Sequence, residues 1–242
     1  MGFLVRRVVG SARVLYNGGM SGAAFRSRVN VYLLDDHDIV RQGIRDLLAP
    51  ARDILVVGDS GTAQRAPSAI LRLGAEVMVL DLQLQDGSGI HVCRQVRSTE
   101  PSIQGLLVTS ADDDDALVAA VLAGASGFVV KLARSSNILG AIRALHAGRT
   151  LIDQTHVERA INILRARAEE MDPRLTDQDL EILEHILSGR TDREIAEHMS
   201  LDLAITQQVG TALIDRLMSP SRGAPPDGGG GTLTGGRHRR TM

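Results

Sequence analysis

Five polar residues stand where strands should end: the pair Asp35 and Asp36 after Val29–Leu34, Asp81 after Val77–Leu80, Thr109 after Gln104–Val108, and Lys131 after Gly127–Val130. Three carboxylates gathered in one place repel one another, which raises their pKa values unless a cation lies among them. A hard divalent ion answers that need. Magnesium takes few carboxylates and keeps several waters, so Asp35, Asp36 and Asp81 are its expected protein ligands. A carboxylate can also attack phosphorus to form an acyl phosphate, provided the charge on the transferring oxygens is neutralised. Asp81 would be the acceptor, Lys131 the neutralising cation and Thr109 a hydroxyl donor to a third oxygen. Any one of these could end a strand merely because Asp and Thr favour turns and caps. The chain has 27 lysines and arginines, of which Lys131 alone is lysine. Five positions on one edge, with that lysine among them, make a reacting site the better reading.

The elements that must position these residues follow from the hydropathy pattern. Short apolar runs at Val29–Leu34, Ile54–Val57, Val77–Leu80, Gln104–Val108 and Gly127–Val130 alternate with amphipathic stretches at Ile39–Leu48, Ala63–Leu73, Gly89–Arg97, Asp114–Ala123 and Ser136–His146. Repeated strand–helix units of this kind predict a parallel, doubly wound, flavodoxin-like α/β sheet of five strands. The runs are nearly continuous rather than alternating, as strands covered on both faces should be. In such a sheet, ligands bind outside the carboxyl ends of the strands. The five polar residues therefore share one edge.

Beyond Gly148 the sheet pattern stops. Thr155–Glu170 reads as one linker helix with Val157, Ala160, Ile161 and Leu164 on an apolar face. An all-α unit follows with helices at Asp177–Leu187, Asp192–Met199 and Leu203–Leu217, in which Thr176 and Thr191 begin capping boxes and Ser200-Leu201-Asp202 is a tight turn. Two helices about such a turn form a helix-turn-helix. The expected divisions are a basic extension over 1–28 and an α/β sheet domain over 29–150. A linker then spans 151–172, the helix-turn-helix 173–219 and a Gly-rich tail 220–242. Both ends are expected to be disordered.

At 242 residues, 43% of them hydrophobic, with a formal net charge of −2, the chain has the composition of a cytoplasmic globular protein. Its longest apolar runs fall far short of the roughly 20 residues needed to cross a bilayer. Cys93, the single cysteine, has no intramolecular disulfide partner and lies in an apolar helical pattern.

The motifs Leu33-Leu34-Asp35-Asp36-His37, Val79-Leu80-Asp81-Leu82, Asp86-Gly87-Ser88-Gly89-Ile90, Val108-Thr109-Ser110 and Gly124-Ala125-Ser126-Gly127-Phe128-Val129-Val130-Lys131 resemble those of two-component receivers. With the region from Leu175 to Leu217 included, the chain is similar to response regulators of the NarL/FixJ class, which carry a LuxR-type helix-turn-helix. The resemblance implies Asp81 as phosphoacceptor and Asp35 and Asp36 as the magnesium pair. It further implies Thr109 as the switch hydroxyl, Lys131 as the phosphate-contacting lysine and Phe128 as the aromatic that repacks with it. A sensor histidine kinase as donor, dimerisation on phosphorylation and binding to promoter DNA are implied partners. Gln85 stands where the family usually has proline, which should loosen the loop beside the acceptor. A stand-alone magnesium-dependent phosphatase is disfavoured because the site lacks a lid or substrate-recognition insertion, so no enzyme activity is expected.

The output unit departs from its family in charge. Residues 173–219 hold Arg174, Arg190, Arg193 and Arg216 against nine acidic residues, whereas DNA affinity comes largely from Lys and Arg against phosphates. In the regulators it resembles, the recognition helix offers lysines and an asparagine. The matching positions here are Ala204, Gln207 and Gln208. Glutamine can read adenine edges, so Gln207 and Gln208, with Arg216, are the candidate DNA contacts. Two outputs stay open: transcriptional control through DNA, or a receiver-based interaction module that engages a kinase or a related regulator.

Overall fold

The computed structural model describes residues 28–110, 114–131, 136–170 and 175–218; the two expected terminal extensions lie outside them. Five parallel strands form one sheet: β1 (Val29–Leu34), β2 (Ile54–Ser60), β3 (Val77–Asp81), β6 (Gln104–Thr109) and β7 (Gly127–Val130), in the order β2-β1-β3-β6-β7. Neighbours in sequence are not all neighbours in space. The winding reverses between β1 and β3, and the crevice of such a sheet opens at that reversal.

Alternate residues of each strand serve opposite faces. Val31 and Leu33 of β1, Val77 and Val79 of β3, and Leu106 and Val108 of β6 pack under α1 (Asp38–Leu48) and α5 (Ser136–His146), through Ile44, Leu48, Ile142 and Leu145. Tyr32, Leu34, Met78, Leu80 and Leu107 point the other way, onto α2 (Ala66–Arg72), α3 (Gly89–Thr99) and α4 (Asp114–Leu122). Both faces are covered, as the unbroken apolar runs required.

Three differences from the sequence reading have local causes. Strand β2 continues to Ser60, because its register against β1 shifts after Val31 and carries pairing through Leu34 and Ser60. Helix α2 starts at Ala66 rather than Ala63, with Pro67 in its first turn, a position where a missing N–H leaves no bond unmade. A small antiparallel hairpin, β4 (Gln83–Leu84) with β5 (Gly87–Ser88), follows the end of β3 at Asp81. It is too short for periodicity to register.

Helix α6 (Gln154–Glu170) leads to α7 (Asp177–Leu187), α8 (Asp192–Met199) and α9 (Leu203–Met218). Thr176 and Thr191 both form complete capping boxes, with Asp179 and Glu194 reaching back to the cap N–H. Ser200 ends α8 with φ 55°, and its backbone N–H bonds Ala196 O; this left-handed residue turns the chain into α9.

The helical unit does not stand apart. Ala160 and Leu164 of α6, Ile182 and Ile186 of α7, Ile195 of α8 and Leu213, Ile214 and Leu217 of α9 join the same buried cluster as Leu117, Val118 and Val121 of α4. Polar links reinforce this packing. Arg94 of α3 and Asp192 of α8 form a buried ion pair. Arg94 also donates to Leu122 O (2.9 Å), Ser98 Oγ accepts from Asp192 N–H (3.1 Å), and Ser98 O accepts from Arg193 Nε (3.1 Å). His91 Nε2 lies 2.8 Å from Asp215 Oδ1 of α9. From α6, Arg159 pairs with Asp114 and Arg167 with Asp115, and Arg167 also reaches Leu217 O (3.2 Å).

Candidate functional site

Parallel pairing places the ends of β1, β3, β6 and β7 side by side: Leu34 pairs with Leu80, Asp81 with Val108, and Thr109 with Val130. The residues next in line meet at that edge. Lys131 Nζ spans two carboxylates, 2.7 Å from Asp81 Oδ2 and 2.8 Å from Asp35 Oδ2. Its own N–H donates to Thr109 O at 2.7 Å, which fixes the lysine at the end of β7 beside Thr109. Asp35, Asp81 and Thr109 are buried.

Burial raises the pKa of Asp81; the hydrogen bond and charge of Lys131 oppose that rise, the nearby carboxylates of Asp35 and Asp36 add to it, and the balance is upward. Burial alone would lower Lys131, but its hydrogen bonds to Asp35 and Asp81 outweigh this and hold the ammonium charged. A carboxylate crowded by two others and faced by one cation is a group that gains from a further positive charge.

The fit of that charge can be judged from Asp36. Its Oδ2 accepts from Gln85 N–H at 3.2 Å, while its buried Oδ1 has no hydrogen-bond donor in alignment among the described residues. Asp35, Asp36, His37 and Asp81 each offer a ligand atom, all within 4.8 Å of one another. Three carboxylates gathered this closely, one of them with a buried oxygen that receives no hydrogen bond among the described residues, suit a divalent cation.

The Gln85 bond corrects the expectation of a loosened loop. Proline at that position would have no N–H to give, whereas Gln85 ties the β4–β5 hairpin to Asp36. Asp86 ties the other side, its carboxylate accepting from Ala63 N–H (2.8 Å) and Gln64 N–H (3.2 Å), which lowers its pKa. Gly89 sits so close that a Cβ there would lie 2.2 Å from Asp81 O. His37, Gln85 and Gly89 are the site neighbours that sequence reasoning gave no positive role. Gly89 and His37 were visible within motifs; the Gln85 contact is made by a backbone atom, which no residue type announces.

The receiver family of response regulators matches residues 31–143. The DNA-binding transcriptional activator DevR/DosR of Mycobacterium tuberculosis is 39% identical over 175 residues, which are 72% of this chain and 81% of that protein. This chain is a response regulator. The transcriptional regulatory protein LiaR of Bacillus subtilis is 28% identical over 193 residues, 78% of this chain and 90% of its own. Among solved structures, a two-component response regulator of the LuxR family from Aurantimonas sp. aligns with TM-score 0.50 and 29% identity, covering 56% of this chain and 97% of that one. The NarL/FixJ and LuxR resemblance read from the motifs therefore agrees with sequence and structure together.

The remaining predicted residues of this response regulator are less tightly gathered. Phe128 is half-buried, and its ring meets His156 of α6 edge to face, 6.4 Å between centroids. Gln207 and Gln208 of α9 line a cleft of about 250 Å³ with His91, Arg94 and Gln95 of α3. Arg216 lies 3.8 Å from Asp179 of α7, a different surface from the two glutamines. Among the described residues, no helix is long and apolar enough to cross a membrane.

Proposed function

We propose that this response regulator takes a phosphoryl group on Asp81 from a sensor histidine kinase and uses it to release α7–α9 for promoter DNA as a dimer in the cytoplasm. The observation that carries the reading is the Lys131 ammonium held between Asp81 and Asp35 beside the Asp36 carboxylate. Attack by an Asp81 oxygen forms an O–P bond as the N–P bond of a phosphohistidine breaks, and the freed imidazole nitrogen takes a proton from water. Lys131 neutralises one phosphoryl oxygen and the Thr109 hydroxyl donates to another. Asp35, Asp36 and Asp81 would hold Mg²⁺, which when bound supplies charge to the equatorial oxygens.

Placing a dianion on Asp81 displaces the carboxylate from Lys131 and draws Thr109 inward. Phe128, on the neighbouring strand, then repacks against α6 through His156. Helix α6 is tied to α4 by Arg159–Asp114 and Arg167–Asp115, and to α9 through Leu217 O, so movement there loosens the helical unit. Release would uncover Gln207, which is half-buried in the cleft against α3, whereas Gln208 at the same cleft is already exposed.

The test is phosphoryl uptake from a small acyl phosphate, with Asp81→Asn as control, followed by binding to genomic DNA fragments across a salt series. Uptake lost in Asp81→Asn and DNA binding that strengthens on phosphorylation support the reading. Uptake at wild-type level in that variant overturns the acceptor assignment.

A further inference from the structure

We propose that His37 is a further ligand of the acidic pocket, so that the site selects a borderline divalent transition cation such as Mn²⁺ over Mg²⁺. The inference rests on the metal reading of the pocket given above.

His37 occupies the N-cap of α1, where Ser, Thr, Asp or Asn would ordinarily bond the first free N–H groups. Its side chain makes no capping bond. Its ring instead turns back to the carboxylates, with Nδ1 2.7 Å from Asp36 Oδ1 and 3.4 Å from Asp35 Oδ1. The backbone holds it there: His37 N–H donates to Asp35 Oδ1 at 2.8 Å.

The Asp36 contact is close, yet Asp36 Oδ1 counts no aligned donor. The ring nitrogen and the carboxylate oxygen lie side by side at the edge of the acidic cluster. Gln85 N–H fixes the other Asp36 oxygen and so holds the carboxylate in this orientation. Neighbouring ligands of an octahedral ion, at bond lengths near 2.1 Å, stand about 3 Å apart. The separations of 2.7 and 3.4 Å bracket that value. Asp81 completes a set of four donors within 4.8 Å of each other.

Imidazole decides the preference. Mg²⁺ takes oxygen ligands and gives up water reluctantly, whereas neutral imidazole suits first-row transition ions. A pocket of carboxylates alone would leave that choice to availability; one with His37 biases it.

The experiment uses the full-length chain without an affinity tag, titrated calorimetrically with Mn²⁺ and with Mg²⁺, and pulsed electron paramagnetic resonance of the Mn²⁺ complex. The expected result is a histidine nitrogen coupling in the wild type that is lost in His37→Ala, with Mn²⁺ affinity down roughly ten-fold and Mg²⁺ affinity changed less than about two-fold. A coupling that persists in His37→Ala, or equal losses for both ions, overturns the inference. Asp36→Ala separates this from failure of the pocket itself: it should abolish binding of both ions, and unchanged Mn²⁺ binding there would refute the metal reading and the His37 ligand together.

Discussion

Asp192→Ala should undock the helical unit from the receiver. Asp192 and Arg94 are each more than nine-tenths buried, and they are the charged pair at the centre of the α3–α8 contact. Removing one partner of a buried pair leaves an uncompensated charge, typically 3–5 kcal/mol. Arg94 keeps its bond to Leu122 O, so the lower end, about 3 kcal/mol, applies. That is roughly a 150-fold shift of the docking equilibrium towards the open form. Hydrogen exchange should report it, with amides of α8 and the facing turns of α3 losing protection while those of β1 and β3 keep theirs. Removing both charges, in Arg94→Leu with Asp192→Leu, should restore most of the docking, because no orphan charge remains. The cycle should therefore yield a coupling of about 2 kcal/mol or more. A coupling below about 0.5 kcal/mol, or unchanged protection in Asp192→Ala, would refute the assignment of this pair as the clasp.

The other predictions concern the acceptor pocket and the output. Gly89→Ala should destabilise by about 1–3 kcal/mol and slow phosphoryl uptake, since its Cβ would meet Asp81 O at 2.2 Å and that backbone atom must move; wild-type melting and uptake would show the approach is not required. Asp81→Asn should raise the melting temperature at neutral pH. The folded Asp81 pKa is raised, so its carboxyl favours folding fully below the unfolded carboxylate pKa of about 4 and loses that contribution as pH rises through the raised value. The difference between variant and wild type should therefore vanish towards pH 3, and a variant less stable than wild type at pH 7 would contradict the sign. Lys131→Ala should retain part of its phosphoryl uptake but no longer couple phosphorylation to undocking, a conclusion lost if its hydrogen exchange responds as the wild type does. DNA binding should have a shallow salt dependence, with a log–log slope no steeper than about −3.6 per protomer from four arginines; a steeper slope would bring the arginines beyond residue 236 into the contact.

The sheet was legible because each strand is a buried run and each carboxyl end carries a polar residue; β1, β7, α5, α7 and α8 fall at the predicted bounds. Asp35, Asp81 and Lys131 group together on sequence alone, since parallel topology brings strand ends together whatever the intervening loops do. Elements decided by register or backbone chemistry were not legible. The β4–β5 hairpin spans two residues a side, and the role of Gln85 lies in an N–H that every residue but proline owns. Docking was equally hidden, because Arg94 and Asp192 are 98 positions apart and each reads alone as an ordinary surface charge on a helix.

Docking also gives a physical account of the acidic output unit. Read alone, its excess of carboxylates argues against DNA. In the folded chain some of those carboxylates have partners on the receiver: Asp192 meets Arg94, and Asp215 meets His91. The basic residues of α3 thus face the acidic residues of α8 and α9. On the proposed mechanism helix α9 serves two surfaces, the receiver when closed and the target when open, and charges that favour one oppose the other. A lysine in that cleft would be repelled by Arg94, and the closed state would weaken. Neutral glutamines at 207 and 208 satisfy both demands, since they tolerate Arg94 and can still bond to base edges. On this argument Gln208→Lys should strengthen DNA binding and loosen docking in the same variant, and a change in one without the other would show that the two surfaces are not in competition.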